Sequence, residues 1–251
     1  LALAYVSLDM RRMLPYLTEV EALWRELNNL SMLADALGMA VFANYFTGDL
    51  DKAVAASEEG YRLSHSIGNL WGESFSLMIV GAVYAQRGEI DTALDIMERC
   101  LVLSEQAGHV APLVETRLGI AELYGELGAF DKAIEGIEAA HKVAETYIPS
   151  QVILVEMARV RFHYLKGEHE IAETMFNQHL SRLEQDTMAL MFVTDTVVRL
   201  QIDLALDKGN YEGALQIVQQ GETVIKESGM KISIPSPIKR RNGQDGEREC
   251  R

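Results

Sequence analysis

The chain has 251 residues, 48% of them hydrophobic and 24% charged, with five prolines and a net charge of −14. This is a globular composition, and on length alone it allows one or two domains. The acid is concentrated: residues 231–251 hold six Lys/Arg and three Asp/Glu, which leaves 17 basic and 34 acidic residues, a net −17, in residues 1–230. Such a field repels phosphate backbones and anionic lipid, so nucleic-acid and membrane-surface partners are excluded from the expected function.

The longest apolar stretches, around SLMIVGAVYA and GMAVFANYF, are shorter than the roughly 18 residues of a membrane span and are punctuated by Gly or Asn. The opening LALAYVSLD has neither an initiator Met nor the basic start and cleavage site of a signal peptide, which is expected of a fragment of a longer protein. Cys100 and Cys250 are 150 residues apart and give no disulfide framework or CxxC spacing, as suits a reducing cytoplasm.

Residues 1–30 read as helical. LPYLTEVEALWREL places Leu17, Val20, Leu23, Trp24 and Leu27 on one face, and Pro15 stands where a helix can begin. From there a repeat runs along the chain. Gly48, Gly88, Gly128, Gly167 and Gly209 are spaced by 40, 40, 39 and 42 residues, and each is followed five residues later by alanine: Ala53, Ala93, Ala133, Ala172 and Ala214. A second glycine, twenty residues after the first, recurs as Gly68, Gly108 and Gly229, while Ile148 with Pro149, and Thr187, stand there in the other units.

These positions predict a unit. The first helix ends at Gly in a left-handed cap, and an apolar residue two beyond it (Leu50, Ile90, Phe130, Tyr211) starts the second. The constant Ala is small because the two helices cross there, and the residues seven before Gly (Val41, Gly81, Ala121, Val160, Ile202) face it. An antiparallel pair of this kind cannot bury both its faces alone. Units must stack, which predicts an all-α, right-handed superhelical solenoid over residues 1–229, with about five full helix pairs and a partial N-terminal one. The last stretch, MKISIPSPIKRRNGQDGERECR, has no helical period, and residues 230–251 read as a flexible tail or linker.

VGAVYAQRGEIDTALDIMERCL (80–101) and IAELYGELGAFDKAIEGIEAAH (120–141) resemble the tetratricopeptide family in the spacing of small residue, Tyr, Gly and Ala. The resemblance covers residues 16–229. It departs from the 34-residue family period by about six residues per unit, and units four and five fit less well, with His169 and Glu173 at apolar positions. The longer form is similar to the tetratricopeptide regions of bacterial signal-transduction NTPases, among them maltose-activator-like transcription regulators and ATPase-fused nucleotide cyclases. That resemblance implies a non-catalytic sensor or interaction arm of a larger bacterial signalling protein. The alternatives are an assembly scaffold that self-associates, or the regulatory region of a parent cyclase, ATPase or transcription regulator.

No GxxxxGK[ST], GxGxxG or GxSxG motif occurs, so no phosphate cradle or activated serine is expected, and neither cofactor nor metal. In GEHEIAET, His169 and Glu173 share a helical face as in half of a zincin motif, but the second His is missing. Cys100 occupies a slot filled by Gly60, Ala140 and Gly221 elsewhere, so it reads as a small buried side chain.

In the tetratricopeptide family the first helices line a concave groove, where a protein or peptide partner or a small effector would bind. Positions 13, 10, 6 and 3 before each turn glycine share one side of that helix. The candidates on it are Phe42, Tyr45, Phe75 and Met78 as an apolar anchor, then Glu122, and then Arg161, Tyr164, Arg199 and Asp203, the two arginines being placed to hold a carboxylate.

Overall fold

Among the described residues seven glycines take positive φ: Gly48, Gly68, Gly88, Gly108, Gly128, Gly167 and Gly209, all between 63° and 87°. This left-handed conformation costs an L-residue a Cβ clash and glycine nothing. The computed structural model describes residues 10–185 and 187–228. Within them the chain runs α1 (Met10–Glu26), α2 (Leu30–Thr47), α3 (Leu50–Ser66), α4 (Leu70–Leu77), α5 (Val80–Gln86), α6 (Ile90–Ala107), α7 (Val110–Glu126) and α8 (Phe130–Tyr147). A 3₁₀ turn at Pro149–Gln151 then leads to α9 (Val152–Leu165), α10 (His169–Gln185), α11 (Thr187–Asp207) and α12 (Tyr211–Ser228). The tail expected over residues 230–251 lies outside the described residues.

Each turn glycine closes its helix with the same pair of bonds. At the first, Gly48 N–H donates to the Tyr45 carbonyl at 2.9 Å and Asp49 N–H to the Asn44 carbonyl at 2.8 Å, and the pattern repeats at Gly88, Gly128, Gly167 and Gly209. These bonds satisfy the carbonyls a helix end would leave empty. Among the described residues the one non-glycine with positive φ is Asn28 at 51°, forty residues before Gly68, a left-handed turn the glycine pattern did not include. Asn29, Asp49, Asn69 and Asn210 then cap the following helices by accepting a backbone N–H three residues on.

The alanines do what their size predicts. Ala53, Ala93, Ala133, Ala172 and Ala214 are all buried, opposite Val41, Ala121 and Val160, which are buried too. At Gly81 a Cβ would stand 2.5 Å from Met97 Cγ, so a hydrogen is all that fits without Met97 moving. Pairs α2/α3, α7/α8, α9/α10 and α11/α12 form the units, with α4 and α5 together as the first helix of unit two packed on α6. First helices also touch one another directly, α2 on α4, α7 on α9 and α9 on α11, which builds the solenoid.

Three expectations change. Within the described residues helix α1 spans Met10–Glu26, so Pro15 lies inside it and not at its start. Its buried stripe is Met13 and Leu17 with half-buried Val20 and Trp24, while Leu23 and Leu27 point to solvent, because α1 packs on α2 along the 13–17–20–24 line. The first helix of unit two is broken at Met78–Ile79. The carbonyls of Ser74 and Ser76, in the turn before the break, accept from Cys100 Sγ (3.4 Å) and Ser57 Oγ (2.7 Å) on the flanking second helices. Lastly, α2, which contains the GMAVFANYF stretch, is long and apolar enough to cross a membrane by length and composition alone; half of it is buried inside the solenoid, as in a core helix.

Candidate functional site

The first-helix face has two chemically distinct ends. At the N-terminal end, positions 6 before Gly48 and 13 before Gly88 bring Phe42 of α2 against Phe75 of α4, ring centroids 5.9 Å apart. Gly38, one turn before Phe42, makes the seat: a Cβ there would lie 2.3 Å from the Phe75 ring. The ring row continues on both sides. Phe46 lies 6.3 Å from Phe42 and meets Tyr45 edge-on, Trp71 lies 5.1 Å from Phe75, and His109 stacks on Trp71 at 4.2 Å.

Phe42, Tyr45 and Phe75 are half-buried, and Trp71 is 42% exposed. Tyr45 is also tied across the units, its hydroxyl accepting from Gln86 Nε2 at 2.9 Å. Met78 is different. It is packed inside the core between units one and two beside Val41 and Ala53, at the break in the helix, so it is removed from the apolar anchor. His109 sits in the row as a neutral ring: its desolvation pushes its pKa down to about 4, against a hydrogen bond to the Trp71 backbone that raises it.

At the C-terminal end the structure brings four of the candidates together. Arg161 on α9 reaches both neighbouring first helices, donating from Nη2 to Glu126 Oε1 on α7 at 2.6 Å and from Nη1 to Asp203 Oδ2 on α11 at 3.2 Å. Arg199 on α11 adds a second cation to the same Glu126 oxygen at 3.1 Å. One turn on from Arg161, the Tyr164 hydroxyl donates to Asp207 Oδ2 at 3.0 Å and the Tyr164 ring stacks on His169 at 4.5 Å. His169 Nδ1 lies 2.8 Å from the same Asp207 oxygen, which gives that side chain a structural partner in place of the zincin role its motif hinted at. Among the described residues no group of three or more His, Cys, Asp or Glu is arranged to hold a metal.

This arrangement revises the arginines. Arg161 is only 3% exposed and both of its terminal nitrogens are engaged, so it is not a free clamp for a carboxylate. Burial works against its charge, and Glu126, Glu122 and Asp203 more than restore it, so its pKa is raised. Glu122 keeps solvent contact but is flanked by protein; that desolvation raises its pKa, with Arg161 and Arg199 lowering it and Glu126 raising it again. The net result is Glu122, Glu126, Asp203 and Asp207 against two guanidiniums.

Glu126 and Asp207 were missed in the sequence, and a signal for both existed. Each lies two residues before its turn glycine, four residues after the position-six residues Glu122 and Asp203, and so on the same helical stripe. Trp71 and His109 carry no such register mark, because they flank the inter-unit turns.

The fold and this face define the class of protein: a right-handed solenoid of antiparallel, tetratricopeptide-like helix pairs whose first helices present a continuous side-chain surface. The chain belongs to the MalT-like TPR region family, whose model matches residues 19–233. No curated protein matches it in sequence. Among solved structures, aspartyl phosphate phosphatase F from Bacillus subtilis is similar in fold, with a TM-score of 0.65 at 15% identity over 89% of this chain. This chain spans 57% of the length of that one. BtubC from P. vanneervenii (TM-score 0.59, 15% identity, 86% of this chain and 91% of that one) and the apo form of RapI (0.59, 12%, 87% and 77%) share the fold as well.

Proposed function

We propose that this solenoid is a non-catalytic sensor and interaction arm of a larger bacterial signalling protein in the cytoplasm, binding a protein or peptide segment along its first-helix face. A small effector carrying the same chemistry would use the same face. The family match and the likeness to a phosphatase of aspartyl phosphate and to RapI support a regulatory setting. The acidic field of the repeat region supports a partner other than nucleic acid or anionic lipid.

The observation that carries the reading is the polarity of the face. Its aromatic end offers Phe42, Phe75 and a 42%-exposed Trp71, the residue types that anchor interfaces. Its other end offers four carboxylates around two arginines that are already paired with Glu126 and Asp203. An anionic ligand group would have to displace those pairs, whereas a cation meets surplus carboxylate. The partner segment therefore carries Lys or Arg beside an aromatic or aliphatic anchor. Binding would bias an output domain elsewhere in the protein through its differential affinity for two states.

Fluorescence anisotropy with a peptide set graded in charge tests this. Salt-sensitive binding of basic, aromatic-containing peptides, weakened at least about tenfold by Trp71→Ala with Phe75→Ala and several-fold by Glu122→Gln, supports the reading. Absence of binding, or preference for acidic peptides, overturns it.

A further inference from the structure

Glu115 lies thirteen residues before Gly128 on α7, and Gln151 ends the 3₁₀ turn that joins α8 to α9. Gln151 Nε2 donates to Glu115 Oε1 at 2.7 Å. The remaining oxygen of each group, Glu115 Oε2 and Gln151 Oε1, is buried and has no hydrogen-bond partner. A carboxylate only accepts and an amide carbonyl only accepts, so as an ionised pair these two atoms leave two buried acceptors empty. A proton on Glu115 Oε2 changes that inventory. A carboxylic acid and a primary amide are both planar and complementary: amide N–H to acid carbonyl on one side, acid O–H to amide carbonyl on the other.

We propose that Glu115 is held protonated through the weakly acidic to neutral range and, paired twice with Gln151, is a proton-dependent clasp between the third and fourth units, which ionisation loosens. The place is one where such a clasp has work to do. The preceding inter-unit turns are closed by left-handed Gly68 and Gly108, but here Ile148 and Pro149 stand instead, and Ile148 lies outside the left-handed region. The turn is then held to unit three by its own backbone bonds and by Gln151.

Most charged groups on the elements packed around Glu115 are engaged elsewhere: on α6 Arg99 lies over the Tyr61 ring, and on α8 Lys132 lies over the Tyr124 ring while Lys142 is exposed. On α7 itself, Arg117 donates to Glu105 of α6 and to the Leu113 carbonyl, and His109 is bound to Ser74. On α4, Glu73 lies against His65. On α8 and α9, Glu138, His141, Glu156 and Arg159 gather around one another, and Arg161 binds Glu126 and Asp203. An ionised Glu115 would also raise the pKa of the Cys100 thiol on α6. Two influences act on the Glu115 carboxyl, its burial and the Gln151 bond, and neither is a cation. Consistently, burial moves its carboxyl from its ordinary 4.5 to about 7, opposed by the Gln151 bond. Because the folded pKa is the higher one, the native state holds the extra proton between those values, and stability falls as pH rises across that window.

Glu115→Gln tests the clasp, since an amide is the permanent isostere of the protonated acid and can form both bonds with Gln151. Thermal unfolding of the full chain is followed from pH 5 to 9 for both proteins. The expected result is that the Tm advantage of Glu115→Gln over wild type grows by several degrees between pH 5 and 8.5, while Gln151→Ala lowers the Tm of Glu115→Gln at every pH because both bonds of the amide pair are lost. A Glu115→Gln protein less stable than wild type by the same margin at every pH overturns the proposal. If the variant does not fold, the carboxyl carbon of Glu115 is titrated in the wild-type protein by NMR: a midpoint near 7 supports the clasp and a midpoint near 4.5 overturns it.

Discussion

Arg161 Nη2 stands 2.6 Å from Glu126 Oε1, and its other terminal nitrogen reaches Asp203, so one buried side chain joins the first helices of units three, four and five. In a solenoid each unit otherwise contacts only its neighbours, so stability depends on such junctions. Arg161→Met removes the cation and leaves Glu126, Asp203 and Glu122 facing one another. The expected loss is about 2–4 kcal/mol, at or below the range for breaking a buried pair because Asp203 retains solvent. Urea unfolding measures it, and the same curves should broaden or split as units four and five uncouple from the rest. Glu126→Gln, which keeps a hydrogen bond to Arg161, should lose less.

The helix-crossing alanines predict a steric effect independent of charge. Ala133 is 1% exposed, beside Ala121 at 2%, with Gly136 one turn on, where a Cβ would already meet Ala121 Cβ at 3.2 Å. Ala133→Leu should therefore cost about 1–3 kcal/mol or more through overpacking. Ala133→Gly should cost nearer 1 kcal/mol, from helix propensity and the lost methyl contact. Circular dichroism melts of the two variants would give this order; a neutral Ala133→Leu would mean that the helix pair separates freely.

The turn glycines predict a conformational effect with no contact at all. Nothing lies within 4 Å of a Cβ built on Gly68, yet its φ is 69°. Gly68→Ala should cost about 1–2 kcal/mol from the left-handed backbone alone. Gly68→Asn should cost distinctly less, since Asn28 occupies the equivalent turn at φ 51°. Equal losses for Ala and Asn, read from thermal melts, would contradict this account.

His109 predicts a pH effect opposite in sign to that of Glu115. Its folded pKa is pushed down to about 4, below its ordinary 6.5, so the native state excludes a proton that the unfolded chain takes up. Its contribution is complete above 6.5 and is lost as pH falls toward 4. His109→Phe, which keeps the stack on Trp71, should flatten the acid side of the stability profile. Trp71 lies 4.2 Å from the ring and should report protonation as fluorescence quenching with a midpoint near 4, absent in Trp71→Phe.

Cys100 is fully buried, with its thiol pKa raised by that burial and by Glu115 and lowered by Thr116 and Ser104. A thiol reagent should modify it in native protein only at the rate of local opening, and at full speed in denaturant. Fast native labelling, assigned to Cys100 by peptide mapping, would contradict the packing described above.

Much of this architecture was legible in the residues because it rests on constraints that repeat. A left-handed turn needs Gly, a helix crossing needs Ala, and both recur at a fixed period, so Gly88, Ala93 and their counterparts announced the solenoid without any knowledge of its partners. The stripe three to four residues apart also put Phe42, Phe75, Arg161 and Asp203 on one side of their helices. What a period cannot carry is the register between units and the company each side chain keeps. That Arg161 is closed by Glu126 and Asp203, that Met78 turns into a broken helix, that Trp71 meets His109, and that Glu115 faces Gln151 depend on distances between elements, the named pairs lying 35–42 residues apart in sequence. Those distances follow from how the units stack, and stacking is set by the whole packed surface. The sequence by itself determined the repeating helix pair; only the tertiary structure decided which charges on its face are paired with one another.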